Sequence, residues 1–124
     1  MTVLGLGLDL VDIARFEAVL GRRPAMATRL FSAEELDYAG TLANPAPTLA
    51  GRFAVKEAVM KALGVGIGAV DWPDISVARL RGGAPQLIVR GRAARLAEGM
   101  GVTAWKVTIS HTDQVASAAV VALQ

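Results

Sequence analysis

Two turns in the second half of the chain are too short to carry a crossover. Ile75–Leu80 and Gln86–Val89 both read as strands, and only Arg81-Gly82-Gly83-Ala84-Pro85 lies between them. Trp105, Val107 and Ile109 alternate with Lys106, Thr108 and Ser110, the pattern of a half-exposed strand. The turn His111-Thr112-Asp113-Gln114 separates it from a last apolar strand, Val115–Leu123. Parallel neighbours need a connection of roughly a dozen residues or more. Both pairs are therefore antiparallel, which points to the α+β class.

The first half is mainly helical. Thr2–Leu10 alternates as a buried strand, in which Gly5 and Gly7 permit close backbone approach. From about Val11 the period lengthens. Ile13, Phe16 and Leu20 share one helical face that stops at Gly21. Pro24 starts a short helix through Leu30. Ser32-Ala33-Glu34-Glu35 has the spacing of a capping box, so a helix follows to about Leu42 and breaks at Asn44-Pro45-Ala46-Pro47. Thr48 then caps the longest helix, Leu49–Leu63, which ends at Gly64. Gly91–Gly99 is a short helix between the two strand pairs. The order is β-ααα-ββ-α-ββ. It predicts mainly antiparallel sheet packed with a long central helix, in one domain over residues 1–124.

Composition narrows the function. Hydrophobic residues make up 53% of only 124 residues, more than a small surface hides easily, so part of that surface is either scattered apolar or an interface. The absence of cysteine excludes a disulfide scaffold, a thiolate zinc site and a cysteine nucleophile. His111 is the only histidine, which excludes a multi-histidine metal site. A net charge of +2 is too small for bulk nucleic-acid binding. Met1–Leu8 lacks the basic flank of a signal peptide, and no apolar run spans a bilayer. No membrane association and a cytoplasmic location are expected.

A few residues stand out chemically. Asp9 interrupts an apolar strand, where a carboxylate must be paired, metal-bound or a cap. Arg52, Lys56, Glu57 and Lys61 are the only charges in the longest helix. Glu57 and Lys61 stand i, i+4, a favourable pair. Arg52 and Lys56 also stand i, i+4, and their repulsion costs stability unless an anion sits between them. The helix reads either as a solvated face or as a phosphate-binding one. Gly64-Val65-Gly66-Ile67-Gly68 is a helix cap with a loose connector and is not a P-loop, since no Gly-Lys-Ser/Thr ends it. His111 is a turn histidine, a general base or a phosphate donor. Arg15, Arg22, Arg23 and Arg29 are either ordinary surface charge or a docking face for an acidic partner.

These segments together resemble the holo-[acyl-carrier-protein] synthases. Gly5-Leu6-Gly7-Leu8-Asp9-Leu10-Val11-Asp12-Ile13 with Arg15-Phe16 is similar to that family's amino terminus. Phe31-Ser32-Ala33-Glu34-Glu35 is similar to its Phe-Thr-x-x-Glu segment. Ala50-Gly51-Arg52-Phe53-Ala54-Val55-Lys56-Glu57-Ala58 and Lys61-Ala62-Leu63-Gly64 resemble its central signature, and Ile109-Ser110-His111 its carboxyl end. The resemblance implies transfer of the 4′-phosphopantetheine arm of coenzyme A to a serine of apo acyl carrier protein. It also implies Mg²⁺ dependence, release of adenosine 3′,5′-bisphosphate, a role in fatty acid biosynthesis, and a homotrimer with active sites between subunits.

By the same resemblance Asp9 and Glu57 hold the metal, and Lys61 reaches a pyrophosphate oxygen. Arg52 and Lys56 hold the nucleotide-side phosphates, and Gly64 and Gly66 let backbone approach the ligand. Gly83 and Pro85 line the adenine, and His111 and Thr112 reach coenzyme A from a neighbouring subunit. Arg15, Arg22, Arg23 and Arg29 become the docking face for the acidic carrier. Trp105 and the alternating last strands are candidates for the trimer contact. Val65 stands where many relatives have a hydroxyl, and Val115 where an aromatic often stands. Two other readings use part of the same set. A Mg²⁺-dependent nucleotide pyrophosphatase would use Asp9, Glu57 and Lys61 with water as acceptor. A non-enzymatic module would bind an acidic protein or RNA through the arginines, although aromatics at 5% offer few stacking platforms for RNA.

Overall fold

The computed structural model describes residues 1–124. Its elements are β1 (Val3–Asp12), α1 (Ile13–Arg22), α2 (Met26–Leu30), α3 (Ala33–Gly40), α4 (Ala46–Leu63), β2 (Ile75–Arg79), β3 (Pro85–Val89), α5 (Gly91–Gly99), β4 (Ala104–His111) and β5 (Val115–Leu123). A single 3-10 turn, Trp72–Asp74, precedes β2. All strand pairs are antiparallel, and the class is α+β as the short turns require. β1, β5 and β4 form one sheet in that order, and β2 and β3 form a separate hairpin.

The centre of the fold is α4, thirteen of whose 18 residues are buried. It lies against the three-stranded sheet because the facing side chains are small. Gly5, Gly7, Asp9 and Val11 of β1 stand opposite Ala122, Val120, Ala118 and Ala116 of β5 on that face. A Cβ on Gly5 would sit 1.9 Å from the carbonyl oxygen of Ala62, and one on Gly7 1.8 Å from that of Ala58. Helix backbone thus rests directly on strand backbone. Ala50, Ala54 and Ala58 continue the close approach along α4, all fully buried.

Helix boundaries follow the local chemistry. The Asp12 carboxylate accepts a hydrogen bond from Arg15 N at 2.9 Å, so Asp12 is the N-cap of α1 and β1 runs two residues further than the alternation indicates. Ser32 and Glu35 form both bonds of the capping box, as expected. α4 begins at Ala46, not after Thr48. Pro45 and Pro47 lie where the first turn has no intrahelical partners for its N–H groups, so they start the helix instead of breaking it. Gly64 ends it in the left-handed region at φ 69°.

The outer face of the sheet explains where the apolar surplus goes. Leu6, Leu8 and Leu10 alternate away from α4 and are 67%, 59% and 67% exposed. Trp105 lies on the opposite, inner face with Val107 and Ile109, packed against the core. The exposed apolar row therefore belongs to β1, and Trp105 is not part of it.

Candidate active site

The alternation of β1 aims Asp9 at α4, in the column of Gly7 and Val11. Its side chain is only 13% exposed, so the carboxylate needs a partner. Lys61 supplies it, with Nζ donating to Asp9 Oδ1 at 3.1 Å and to the Leu8 carbonyl at 2.8 Å. The expected Glu57–Lys61 pair is not made. An exposed i, i+4 pair contributes a few tenths of a kcal/mol at most, and a carboxylate plus a carbonyl on β1 offer Lys61 two acceptors instead. Glu57 is left without a cation in contact. Burial pushes its carboxyl above the ordinary range, and the nearby Asp9 charge pushes it further, with Lys61 opposing.

Asp9 and Glu57 line one cavity of about 340 Å³ between β1, α1 and α4, together with Asp12, Arg15 and Phe53. A second groove of about 600 Å³ shares Glu57, Phe53, Met26 and Leu30 with it and is rimmed by Arg23 and Arg29. Ile67 and Trp72 close its far side, with Trp72 stacked on Phe53 at 5.3 Å between centroids. Glu57 thus stands where two grooves meet, and three of the four expected docking arginines reach their rims. Arg22 lies on neither. Two carboxylates on one cavity, with Asp9 raising the cost of ionising Glu57, suit a hard divalent cation, since Mg²⁺ takes one or two carboxylates and completes its shell with phosphate and water.

The other half of the central signature does something else. Lys56 is fully buried, and all three of its ammonium protons are used. It donates to Glu35 Oε1 at 2.7 Å, to the Trp72 carbonyl at 3.1 Å and to the Ile75 carbonyl. Glu35 also accepts from Ser32 N and Val77 N, both at 3.1 Å. This corrects the expectation that Lys56 holds a nucleotide phosphate. The anion that relieves the repulsion between Arg52 and Lys56 is the chain's own Glu35 carboxylate.

Arg52 keeps a different environment. Only 3% of the residue is exposed, and its guanidinium lies 4.7 Å over the Tyr38 ring. It lines a cavity of about 300 Å³ with Arg79, Arg90, Ser76 and Glu34. Arg79 carries no signal in the sequence, and Arg90 only that of a loose, less specific arginine group with Arg92 and Arg95. Arg79 and Arg90 flank the β2–β3 hairpin eleven positions apart, and only the fold closes them onto Arg52.

The remaining candidates lie apart from Asp9 and Glu57. Gly64 and Gly66 have open space where a side chain would stand. Gly83 lies in the hairpin turn at φ 89°, and its carbonyl accepts from Arg79 Nη1 at 2.8 Å. Pro85 opens β3 opposite Arg79. His111 is exposed at the end of β4, its Nδ1 3.2 Å from the Thr112 carbonyl oxygen, while the Thr112 hydroxyl accepts from Gln114 N and Val115 N. None of these six residues lines the two grooves that meet at Glu57.

Comparison with known proteins adds the family. The profile of the 4′-phosphopantetheinyl transferase superfamily matches residues 5–120. A holo-[acyl-carrier-protein] synthase of Beutenbergia cavernae is 46% identical over 120 residues, 97% of each chain. The crystal structure of the holo-[acyl-carrier-protein] synthase of Neisseria meningitidis superposes with a TM-score of 0.91 at 30% identity, over 99% of this chain and 100% of that one. The Bacillus anthracis synthase in complex with CoA (3′,5′-ADP) superposes at 0.82 with 31% identity, over 98% and 97%. With its fold and nearly its whole length matched by such relatives, the chain belongs to the holo-[acyl-carrier-protein] synthases of the 4′-phosphopantetheinyl transferase superfamily.

Proposed function

We propose that this enzyme moves the 4′-phosphopantetheine group of coenzyme A onto a serine of an apo acyl carrier protein and releases adenosine 3′,5′-bisphosphate. The observation that carries the reading is Glu57 at the meeting point of two arginine-rimmed grooves, with Asp9, paired to Lys61, lining one of them. Such a site needs to hold a pyrophosphate and admit an acidic protein together, and this one has the charges for both.

Asp9 and Glu57 would hold Mg²⁺, which when bound neutralises pyrophosphate oxygens and orients the phosphorus for attack. The side chains do the rest. Lys61 balances the charge that develops on the oxygen between the two phosphorus atoms as that P–O bond breaks. The serine Oγ forms the new P–O bond, and its proton passes to the Glu57 carboxylate, directly or through one water. Arg52, with Arg79 and Arg90 beside it, holds a phosphate on the nucleotide side. Gly64 and Gly66, with open space where a side chain would stand, let the backbone approach the ligand. Arg15, Arg23 and Arg29 steer the acidic carrier to Glu57, with Arg22 extending the basic face.

The exposed leucine row of β1 supports a homotrimer, in which Gly83, Pro85, His111 and Thr112 complete the coenzyme A site of a neighbouring copy. The product carrier serves fatty acid biosynthesis in the cytoplasm; no helix is long and apolar enough to cross a membrane. Coenzyme A, Mg²⁺ and apo carrier mixed with the enzyme give a carrier heavier by one phosphopantetheine in intact-mass spectrometry, and chelation stops the gain. Coenzyme A cleaved with the carrier left unlabelled would instead establish a pyrophosphatase.

A further inference from the structure

The glycine-spaced segment after α4 runs into the buried Val70, and a surface arginine fastens the chain on either side of that residue. Arg92, in the first turn of α5, donates from Nε to Asp71 Oδ2 at 3.2 Å and from Nη2 to Asp71 Oδ1 at 3.0 Å. Its Nη1 donates to the Gly68 carbonyl at 3.2 Å. One guanidinium therefore spans both the last glycine of Gly64–Gly68 and the residue before the 3-10 turn. The Asp71 carboxyl is held below its ordinary range by these hydrogen bonds.

Stability does not account for this arrangement. The two side chains are 46% and 59% exposed, and exposed ion pairs contribute little to folding. The segment they fasten has Gly64 and Gly68 in the left-handed region at φ 69° and 98° and open space where a side chain would stand at Gly64, Gly66 and Gly68. It also carries Ile67 onto the groove that contains Glu57, and it leads into Trp72, which stacks on Phe53 in that groove.

We infer that Arg92 and Asp71 form a latch that pre-orders the glycine segment for coenzyme A, making both positioning residues for substrate binding. This rests on the reading of Gly64 and Gly66 as coenzyme A contacts. Without the latch the segment must be ordered at the moment of binding, and fixing about one residue's backbone costs roughly a factor of ten in affinity. Chemistry at Glu57 is unaffected once coenzyme A is bound.

The test compares R92A, R92K and D71N with wild type in the complete enzyme, with Mg²⁺ and apo carrier. KM for coenzyme A rises about tenfold in R92A and D71N, while kcat and the carrier KM stay within about twofold. R92K behaves like R92A, because a single ammonium nitrogen lacks the planar fork that pairs with both Asp71 oxygens while a third N–H reaches the Gly68 carbonyl. The double variant R92A/D71A is no worse than either single variant, as expected of one shared unit. Amide exchange quickens over residues 64–71 and is unchanged along α4. An unchanged coenzyme A KM, an equal fall in kcat, or unaltered exchange in residues 64–71 overturns the latch. A wild-type enzyme that leaves the carrier unlabelled overturns the transfer reading alone. The latch is then decided by calorimetric coenzyme A affinity, which must fall about tenfold in R92A.

Discussion

Glu57 and Lys56 are adjacent in sequence, both charged, and opposed in role. Glu57 faces the grooves with a raised proton affinity, so between the ordinary value of 4.5 and its raised one the native state binds more protons than the unfolded chain. Stability of the metal-free enzyme therefore falls as pH rises through that window. Glu57→Gln removes this cost. The metal-free variant melts slightly above wild type at neutral pH, by less than about 1 kcal/mol since the site is partly solvated, and the gain vanishes below pH 4.5. Turnover falls by about 10²–10⁴-fold. Melting curves across pH with chelator present check the first claim, and an equal or lower melting point at neutral pH refutes it. Lys56 behaves oppositely. Lys56→Met strands the buried Glu35 carboxylate and lowers stability by about 3–5 kcal/mol in denaturant titrations. Its folded fraction keeps the wild-type coenzyme A KM, whereas Arg52→Ala raises that KM about 10- to 100-fold through loss of a charge-assisted contact. The sequence made the need for an anion beside Arg52 and Lys56 legible. It did not reveal that the anion was Glu35, 21 residues upstream of Lys56, because that proximity exists only after α3 packs on α4.

At the scale of elements, the short turns and the capping box were readable because each is decided within a few residues. Asn44-Pro45-Ala46-Pro47 misleads because a proline that breaks a helix interior starts a helix equally well, and only the position of the first turn separates the two. The pairing of β1 with β5 was not legible either, since more than a hundred residues separate them. Gly5 and Gly7 nevertheless signalled that some backbone must come close, and that backbone is α4. Gly7→Ala places a methyl 1.8 Å from the Ala58 carbonyl oxygen and forces β1 off the helix. The expected loss is about 2–3 kcal/mol or more, accompanied by lower activity because Asp9 moves with the strand. Gly21→Ala in α1 meets nothing within 4 Å and gains about 0.5–1 kcal/mol from helix propensity. Equal stabilities for the two variants, measured in urea, would contradict direct backbone packing at Gly7.

At the scale of the whole molecule, the apolar surplus and the scattered site residues have one explanation. Leu6, Leu8 and Leu10 present a continuous outer row on β1, beside Ala119 and Val121 of β5. Burying a leucine contributes about 1.5–3 kcal/mol, so three of them repeated at each contact offset part of the cost of association. In the proposed trimer the same contact would bring His111, Thr112, Gly83 and Pro85, which stay clear of the grooves at Glu57 in the single chain, to a neighbouring copy's site. Leu8→Asp separates the two effects. Leu8 is 59% exposed and points away from α4, so the variant folds with a normal melting transition. Its charge cannot be buried against a second copy, and sedimentation shows a monomer where wild type sediments as a trimer. The monomer loses most coenzyme A affinity while keeping Asp9, Glu57 and Lys61 in place. Full activity in a monomeric Leu8→Asp enzyme would show that each copy carries a complete site, and the leucine row would then have no part in catalysis.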